Sequence, residues 1–456
     1  MRRCRSLSAM KRLAALVISA LTLTTALSST QASAPLAAVS SPVDVFSVAH
    51  AEFTATEVVR VAQTSVLSLD VYGRATAAAD TARAAWSASR GASVPMERVM
   101  RGGDVVQEPE IAGFHLPMNV TVLPTQAMAA LMGRDVAAVV ARGEIVMGAN
   151  TAALRGARVG DTVDLVSVAG SVERFTIGML AADSIIGGTE LLLSPLQGDR
   201  IGVVNVTSIV IWGFPSRESI DSALAEFGLE PRADTRVRRS WDAFDPDFNL
   251  SMTQTKALMG EFAYRVRPNG IDVDVTPTWV ATSMAQNKEP YSTGINARCN
   301  NVVRADLEAA LAEVVNSGLR SQIDVANANK YGGCYYPRFN RVTGNLGFLS
   351  RHSWGAPLDT NTTTNAQGAV PQMDCDVVRI FRKHNFAWGG NFLTPDGMHF
   401  EWVGERRDLF QYPSRYCANL PVPVSIASVT RIAAILDSTH TTRATLFQDD
   451  GWGAGE

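Results

Sequence analysis

At 456 residues, with 46% apolar and 19% charged side chains, the chain holds enough apolar material for two or three packed domains and is not a disordered polymer. A net charge of −3 lacks the basic footprint that binding to a phosphate backbone needs, so nucleic acid is excluded as an expected partner.

Residues 1–34 read as an export signal. Arg2, Arg3, Arg5, Lys11 and Arg12 form a basic head, a mainly apolar run extends from Leu13 to Leu27, and Ala32-Ser33-Ala34 is a small-x-small cleavage signature. The run is shorter than the ~20 residues that cross a bilayer as a helix. Cleavage after Ala34 and a secreted or cell-surface location are expected, with an uncleaved anchor as the alternative. Cleavage would remove five of the 41 basic side chains and none of the 44 acidic ones, leaving a net charge of −8.

Residues 35–99 are predicted to be a helical segment, a stalk or packing arm. Good helix formers fill Ala55 to Arg90, and Val58, Val61, Ala62, Val66 and Leu69 recur at near-helical spacing. Residues 100–235 change character and predict a β-rich accessory domain. Val120–Leu123, Glu144–Met147, Asp161–Leu165, Arg174–Ile177, Thr189–Leu193 and Thr207–Trp212 are short β-type runs separated by Gly, Asp and Pro turns. Gln126–Met132 and Arg217–Phe227 have helical patterns between them. The segment from Gly148 to Val163, ending Arg158-Val159-Gly160-Asp161-Thr162-Val163, resembles the extracytoplasmic domain of macrolide-exporter-type ABC permeases. That likeness suggests a β-rich accessory module, and no activity is carried over from it; in a separate reading, residues 35–235 are a candidate adaptor to a membrane-associated protein, with the C-terminal unit as effector.

Residues 236–430 form the third predicted unit, entered through a linker at Arg236–Trp241. Val303 to Leu319 is an amphipathic helix with Leu307, Leu311, Val314 and Val315 on one face, and Asp374 to His384 is a second, burying Val377, Val378 and Phe381. Residues 431–456 are expected to be a helix and tail. The fold class that follows is α+β: a small antiparallel sheet with helices in the C-terminal unit, preceded by the helical segment and the β-rich domain.

Cys299, Cys334, Cys375 and Cys417 all lie in the third unit. An even number in an exported chain reads as two disulfides. Four cysteines allow three pairings and spacing does not choose among them. Cys299–Cys334 with Cys375–Cys417 is preferred.

The chemistry sits in two stretches: Ser350-Arg351-His352-Ser353-Trp354-Gly355-Ala356-Pro357-Leu358-Asp359 and Asp396-Gly397-Met398-His399-Phe400-Glu401-Trp402. They supply two imidazoles, one carboxylate ligand and a spare carboxylate. That is the inventory of a catalytic zinc site, with three protein ligands, an open position and a base. The pattern resembles the zinc D-alanyl-D-alanine carboxypeptidase and L-alanyl-D-glutamate peptidase family, whose fold is shared with the Hedgehog signalling domain. Ser350, His352, Gly355 and Asp359 match its first motif, with Pro357 where the family usually has Ala, and Asp396 and His399 match the second. Gly260–Arg265, Gly333–Arg338 and Phe386–Gly390 accompany them in the family's order.

The resemblance implies that His352, Asp359 and His399 hold Zn²⁺ and that Asp396 is general base and acid. It implies that Arg338 stabilises negative charge on the substrate, with Arg341 and Arg351 as competitors, and that Ser350 orients substrate or a ligand. Trp388 is a candidate substrate-pocket wall, and Glu401 an alternative base or a partner of His399. An exported metallopeptidase follows, acting on peptidoglycan stem peptides as a D-Ala-D-Ala carboxypeptidase or an L-Ala-D-Glu endopeptidase. A zinc-stabilised binding module without catalysis is the rival reading.

Overall fold

The computed structural model describes residues 55, 57–63, 66–229, 235–242, 247–325, 333–341, 343–392, 394–409 and 416–420. The expected signal at 1–34 and the C-terminal helix at 431–456 lie outside these residues.

The N-terminal half is built on one large sheet. In chain order its strands are β1 (Val58–Gln63), β2 (Ala85–Arg101), β3 (Asp104–Gln107), β4 (Leu116–Val122), β5 (Ile145–Gly148), β6 (Thr162–Val166), β7 (Val172–Ala181), β8 (Leu191–Leu193), β9 (Val206–Trp212) and β10 (Thr235–Arg239). Six of them follow one another as β2, β4, β8, β5, β7 and β6, and β6 pairs back to β2, so the sheet closes into a barrel. Closure removes the open edges that a sheet this size would otherwise expose. Alternation fills the interior: Leu116, Met118, Val120 and Val122 recur at every second residue of β4, all buried, beside Ile145, Phe175 and Ile177. Outside the barrel, β9, β1 and β10 extend the sheet from the first half of β2.

Two expectations are corrected here. Among its described residues, the segment 35–99, expected to be helical, has one helix, Leu69–Thr81, between two strands, β1 and β2. β1 is buried on both faces, so its apolar residues show no period-2 alternation and fit a helical spacing equally well. β2 is rich in Ala, Ser and Gly, a composition that does not announce a strand, and its pairing along both edges overrides local preference. The linker expected at 236–241 contains β10, which pairs antiparallel with β1 from Val59↔Arg239 to Gln63↔Thr235. The β-rich part therefore runs from residue 58 to 239 and not from 100.

The C-terminal half carries the small antiparallel sheet foreseen from the sequence, three strands in the order Pro357–Asp359, His399–Trp402, Phe386–Trp388. Helices Arg304–Asn316 and Cys375–Lys383 back it, burying Leu307, Leu311, Val314, Val377, Val378 and Phe381. Asp374 caps the second helix by accepting from the N–H groups of Asp376 and Val377. The cysteines pair as Cys299–Cys334 and Cys375–Cys417, the preferred set.

The two halves meet closely. One edge of β2 pairs with β9 through Arg90 and with β6 from Met96. In the interval between, Ser93 N–H donates to Gly347 O at 3.0 Å and Ser93 Oγ accepts from Leu349 N–H at 3.0 Å. A Cβ on Gly91 would lie 2.7 Å from the Phe348 ring and 3.2 Å from Val120 O, so glycine lets the ring pack here without being displaced. The barrel thus grips the chain directly before Ser350. A buried ion cluster completes the junction: Lys256 and Arg155 with Glu190 and Glu261.

Candidate metal centre

His352 sits in a short 3₁₀ turn, Arg351–Trp354. Ser350 caps that turn, its Oγ accepting from His352 N–H at 3.2 Å. Gly355 ends it in the left-handed region at φ 64°, and a Cβ there would meet Met284 Cε at 2.6 Å and Asn300 N at 3.0 Å. The Ser-x-His-x-x-Gly spacing is therefore the spacing of a capped turn with a glycine stop. Asp359 and His399 come together differently, as directly opposed residues of neighbouring antiparallel strands.

These placements assemble a buried His352, Asp359, His399 group whose ligand-type atoms all lie within 4.8 Å of one another. His352 Nε2 is 2.9 Å from Asp359 Oδ2 without a hydrogen bond between them. His399 Nδ1 is 3.0 Å from Asp359 Oδ1. The outer nitrogens are engaged: His352 Nδ1 lies 2.8 Å from Cys334 O, where only an N–H can bond, and His399 Nε2 lies 3.1 Å from Glu401 Oε2. Each imidazole is thus held so that its other nitrogen faces Asp359, the orientation a metal-binding histidine takes from its outer partner. The orphaned buried Nε2 and this donor set fit a divalent cation bound by nitrogen and oxygen.

Electrostatics agree. Burial pushes the Asp359 carboxyl up, but His352 and His399 outweigh it and hold the group well below the usual carboxylate range. Burial likewise disfavours a charged His399, yet its hydrogen bonds to Asp359 and Glu401 prevail and raise it to about 10. The site therefore attracts positive charge.

Asp396 is fully buried and opens the turn into the His399 strand: its N–H donates to Gly389 O at 2.8 Å and its O accepts from His399 N–H at 3.1 Å. The Pro395-Asp396-Gly397 turn and the placement of a carboxylate beside His399 are one feature. Trp388 is also fully buried. Its indole N–H donates to Gly397 O at 2.9 Å, so it braces this turn. Arg338 is buried, donates from Nη1 to Phe339 O at 3.3 Å and lies 5.6 Å from the Tyr336 ring. Ser350 acts on the ligand loop through the cap described above.

Residues 343–402 match the D-alanyl-D-alanine carboxypeptidase family. The matched segment contains His352, Asp359, Asp396 and His399, and ends with the His399 strand; Arg338 lies before it. No curated protein matches the chain.

Two supports of the candidate metal centre were not assigned from the sequence. Cys334 holds His352 through a backbone carbonyl, which has no sequence signature. Arg351, weighed as a substrate cation, instead gives Nη1 to Thr255 Oγ1 at 2.5 Å and Nη2 to Leu250 O at 2.8 Å, with Nε 3.8 Å from Glu401 Oε1. It backs the residue that backs His399. The alternation of His399 and Glu401 on one strand face was the available signal for Glu401.

Proposed function

We propose that this chain is an exported zinc peptidase that hydrolyses a peptide bond of the peptidoglycan stem, as a D-Ala-D-Ala carboxypeptidase. The observation that carries the proposal is the buried His352, Asp359, His399 group with Asp396 on the adjoining turn. His352, Asp359 and His399 would hold the ion, and zinc, when bound, supplies the Lewis acidity that makes water a nucleophile at neutral pH.

The protein's own groups do the rest. Glu401 and the Cys334 carbonyl fix the two imidazoles, so no reorientation is needed when substrate arrives. Asp396 accepts the proton of the attacking water and returns it to the leaving amine. Arg338 is the cation proposed for the negative charge that develops on the scissile carbonyl. The signal-like N-terminus, together with two disulfides, supports an oxidising compartment outside the cytoplasm. Among the described residues no helix is long and apolar enough to cross a membrane.

The test is metal analysis of the purified protein joined to digestion of defined stem peptides, with products weighed. Zinc at one equivalent and release of terminal D-Ala is the expected result. Cleavage between L-Ala and D-Glu would move the enzyme to the endopeptidase branch. Zinc without turnover on any stem peptide would overturn catalysis in favour of a binding module.

A further inference from the structure

The supports behind His399 run back to the barrel. Glu401 Oε2 lies 3.1 Å from His399 Nε2, and Arg351 Nε lies 3.8 Å from Glu401 Oε1. Arg351 in turn gives Nη1 to Thr255 Oγ1 at 2.5 Å and Nη2 to Leu250 O at 2.8 Å. The hydroxyl proton of Thr255 is spent on Ser251 O at 3.1 Å, so towards the guanidinium this oxygen can only accept. His399, Glu401, Arg351 and Thr255 are each at most 1% exposed, so solvent does not substitute for a lost member.

Thr255 lies on the helix Met252–Met259, and that helix is fastened to the barrel. Ser251 and Gln254 close a capping box at its start. Thr253 Oγ1 lies 2.9 Å from Thr151 Oγ1, on the helix Ala149–Arg155 that follows β5. Lys256 Nζ donates to Glu190 Oε1 and Oε2, both at 2.8 Å, and to Pro117 O on β4 at 2.5 Å. Thr253 and Lys256 thus hold the helix on the barrel while Thr255 meets the guanidinium. A guanidinium is a rigid planar fork. With Nη1 and Nη2 held by two oxygens of this anchored segment, the direction of Nε towards Glu401 is fixed as well.

We propose that Thr255 is a positioning residue of the metal centre. By holding the Arg351 fork it sets where Glu401 stands, and so which way the His399 ring faces Asp359 and the ion. The barrel is then part of the framework of the metal site, not an appendage to it. The inference rests on the metal-binding reading of His352, Asp359 and His399, and needs no turnover.

The experiment measures zinc affinity of the full-length protein by chelator competition at one fixed pH. Wild type is compared with Thr255→Val, Thr255→Ser, Glu401→Gln and the double variant Thr255→Val/Glu401→Gln. Thr255→Val keeps every charge and nearly the same shape but removes the acceptor. It should weaken zinc binding about 10-fold, the low end for loss of a support behind a ligand. Thr255→Ser, which keeps the hydroxyl, should bind zinc within about 2-fold of wild type. In the Glu401→Gln background, Thr255→Val should change the affinity by less than about 2-fold, because the route to His399 is already cut. Should Thr255→Val not fold, Arg351→Lys decides: it keeps the charge and loses the fork, and should weaken zinc about 10-fold only where Glu401 is present. Wild-type affinity in Thr255→Val, or an equal loss with and without Glu401, overturns this proposal alone. A wild type that binds no zinc overturns the metal reading and the proposal with it.

Discussion

Replacing Glu261 by Gln tests the junction between the barrel and the C-terminal half. Glu261 accepts from Arg155 at 3.0 and 2.6 Å and lies 2.9 Å from Lys256 Nζ. Glu190 is the second carboxylate of the cluster, 2.8 Å from Lys256. The Arg155, Lys256 and Glu190 side chains are fully buried and Glu261 is 9% exposed. The wild-type cluster is neutral, with two cations and two anions. The amide leaves one buried positive charge uncompensated, a change that costs about 3–5 kcal/mol.

Part of that cost is visible in pH. Burial pushes the Glu261 carboxyl up, but Arg155 and Lys256 together outweigh it and lower it from 4.5 to about 2. The folded pKa lies below the unfolded one, so the unfolded chain binds more protons between these values and stability rises with pH there. The contribution, roughly 3 kcal/mol, is complete above pH 4.5 and is lost as pH falls towards 2. Urea denaturation followed by tryptophan fluorescence at pH 6 and pH 2.5 reads both effects. Glu261→Gln should be strongly destabilised at pH 6, with most of its deficit against wild type gone at pH 2.5. A deficit under about 1 kcal/mol at pH 6, or one that does not shrink in acid, refutes the reasoning.

Asp396→Asn should keep its metal, measured by mass spectrometry of the native protein, while stem-peptide cleavage falls about 10²–10⁴-fold; loss of metal instead would make Asp396 a ligand. Glu401→Gln removes the charged partner of His399, so zinc affinity measured by chelator competition should fall about 10–100-fold. Gly389→Ala places a methyl against Asp396 O and 3.0 Å from His399 Cβ, so activity should drop with little change in overall secondary structure by circular dichroism. Removing the Cys375–Cys417 bridge, which spans a sequence separation of 42, should cost about 4 kcal/mol of stability in urea, with both cysteines replaced by Ser.

The site was largely legible because its geometry is local. A serine cap, a histidine two residues on and a glycine stop define one turn, and Asp396 with His399 defines another. Strand pairing then places Asp359 opposite His399, which no spacing reveals. The short strands of the barrel were legible from β-branched runs between turns, whereas its closure was not, because β6 returning to β2 is a long-range pairing with no local mark. β2 itself was missed for the same reason: Ala88, Ser89, Gly91 and Ser93 suit a helix or loop until neighbouring strands fix them. The ion cluster at the junction was equally hidden, since Arg155, Glu190 and the neighbouring Lys256 and Glu261 come from three distant stretches of the chain and each alone looks like an ordinary surface charge.

The double membership of β2 has an evolutionary corollary. Its first residues belong to the outer sheet, its middle clasps Gly347 and Leu349, and its end helps wall the barrel. Inserting or deleting one residue near Ser93 would turn every side chain beyond it to the opposite face, emptying the interior at Val94 and Met96 while releasing the ligand turn. Length variation among descendants of this sequence should therefore spare the strand and collect at its tip. There Gly102 and Gly103, both exposed and at positive φ, turn the chain back into β3 with nothing packed against them.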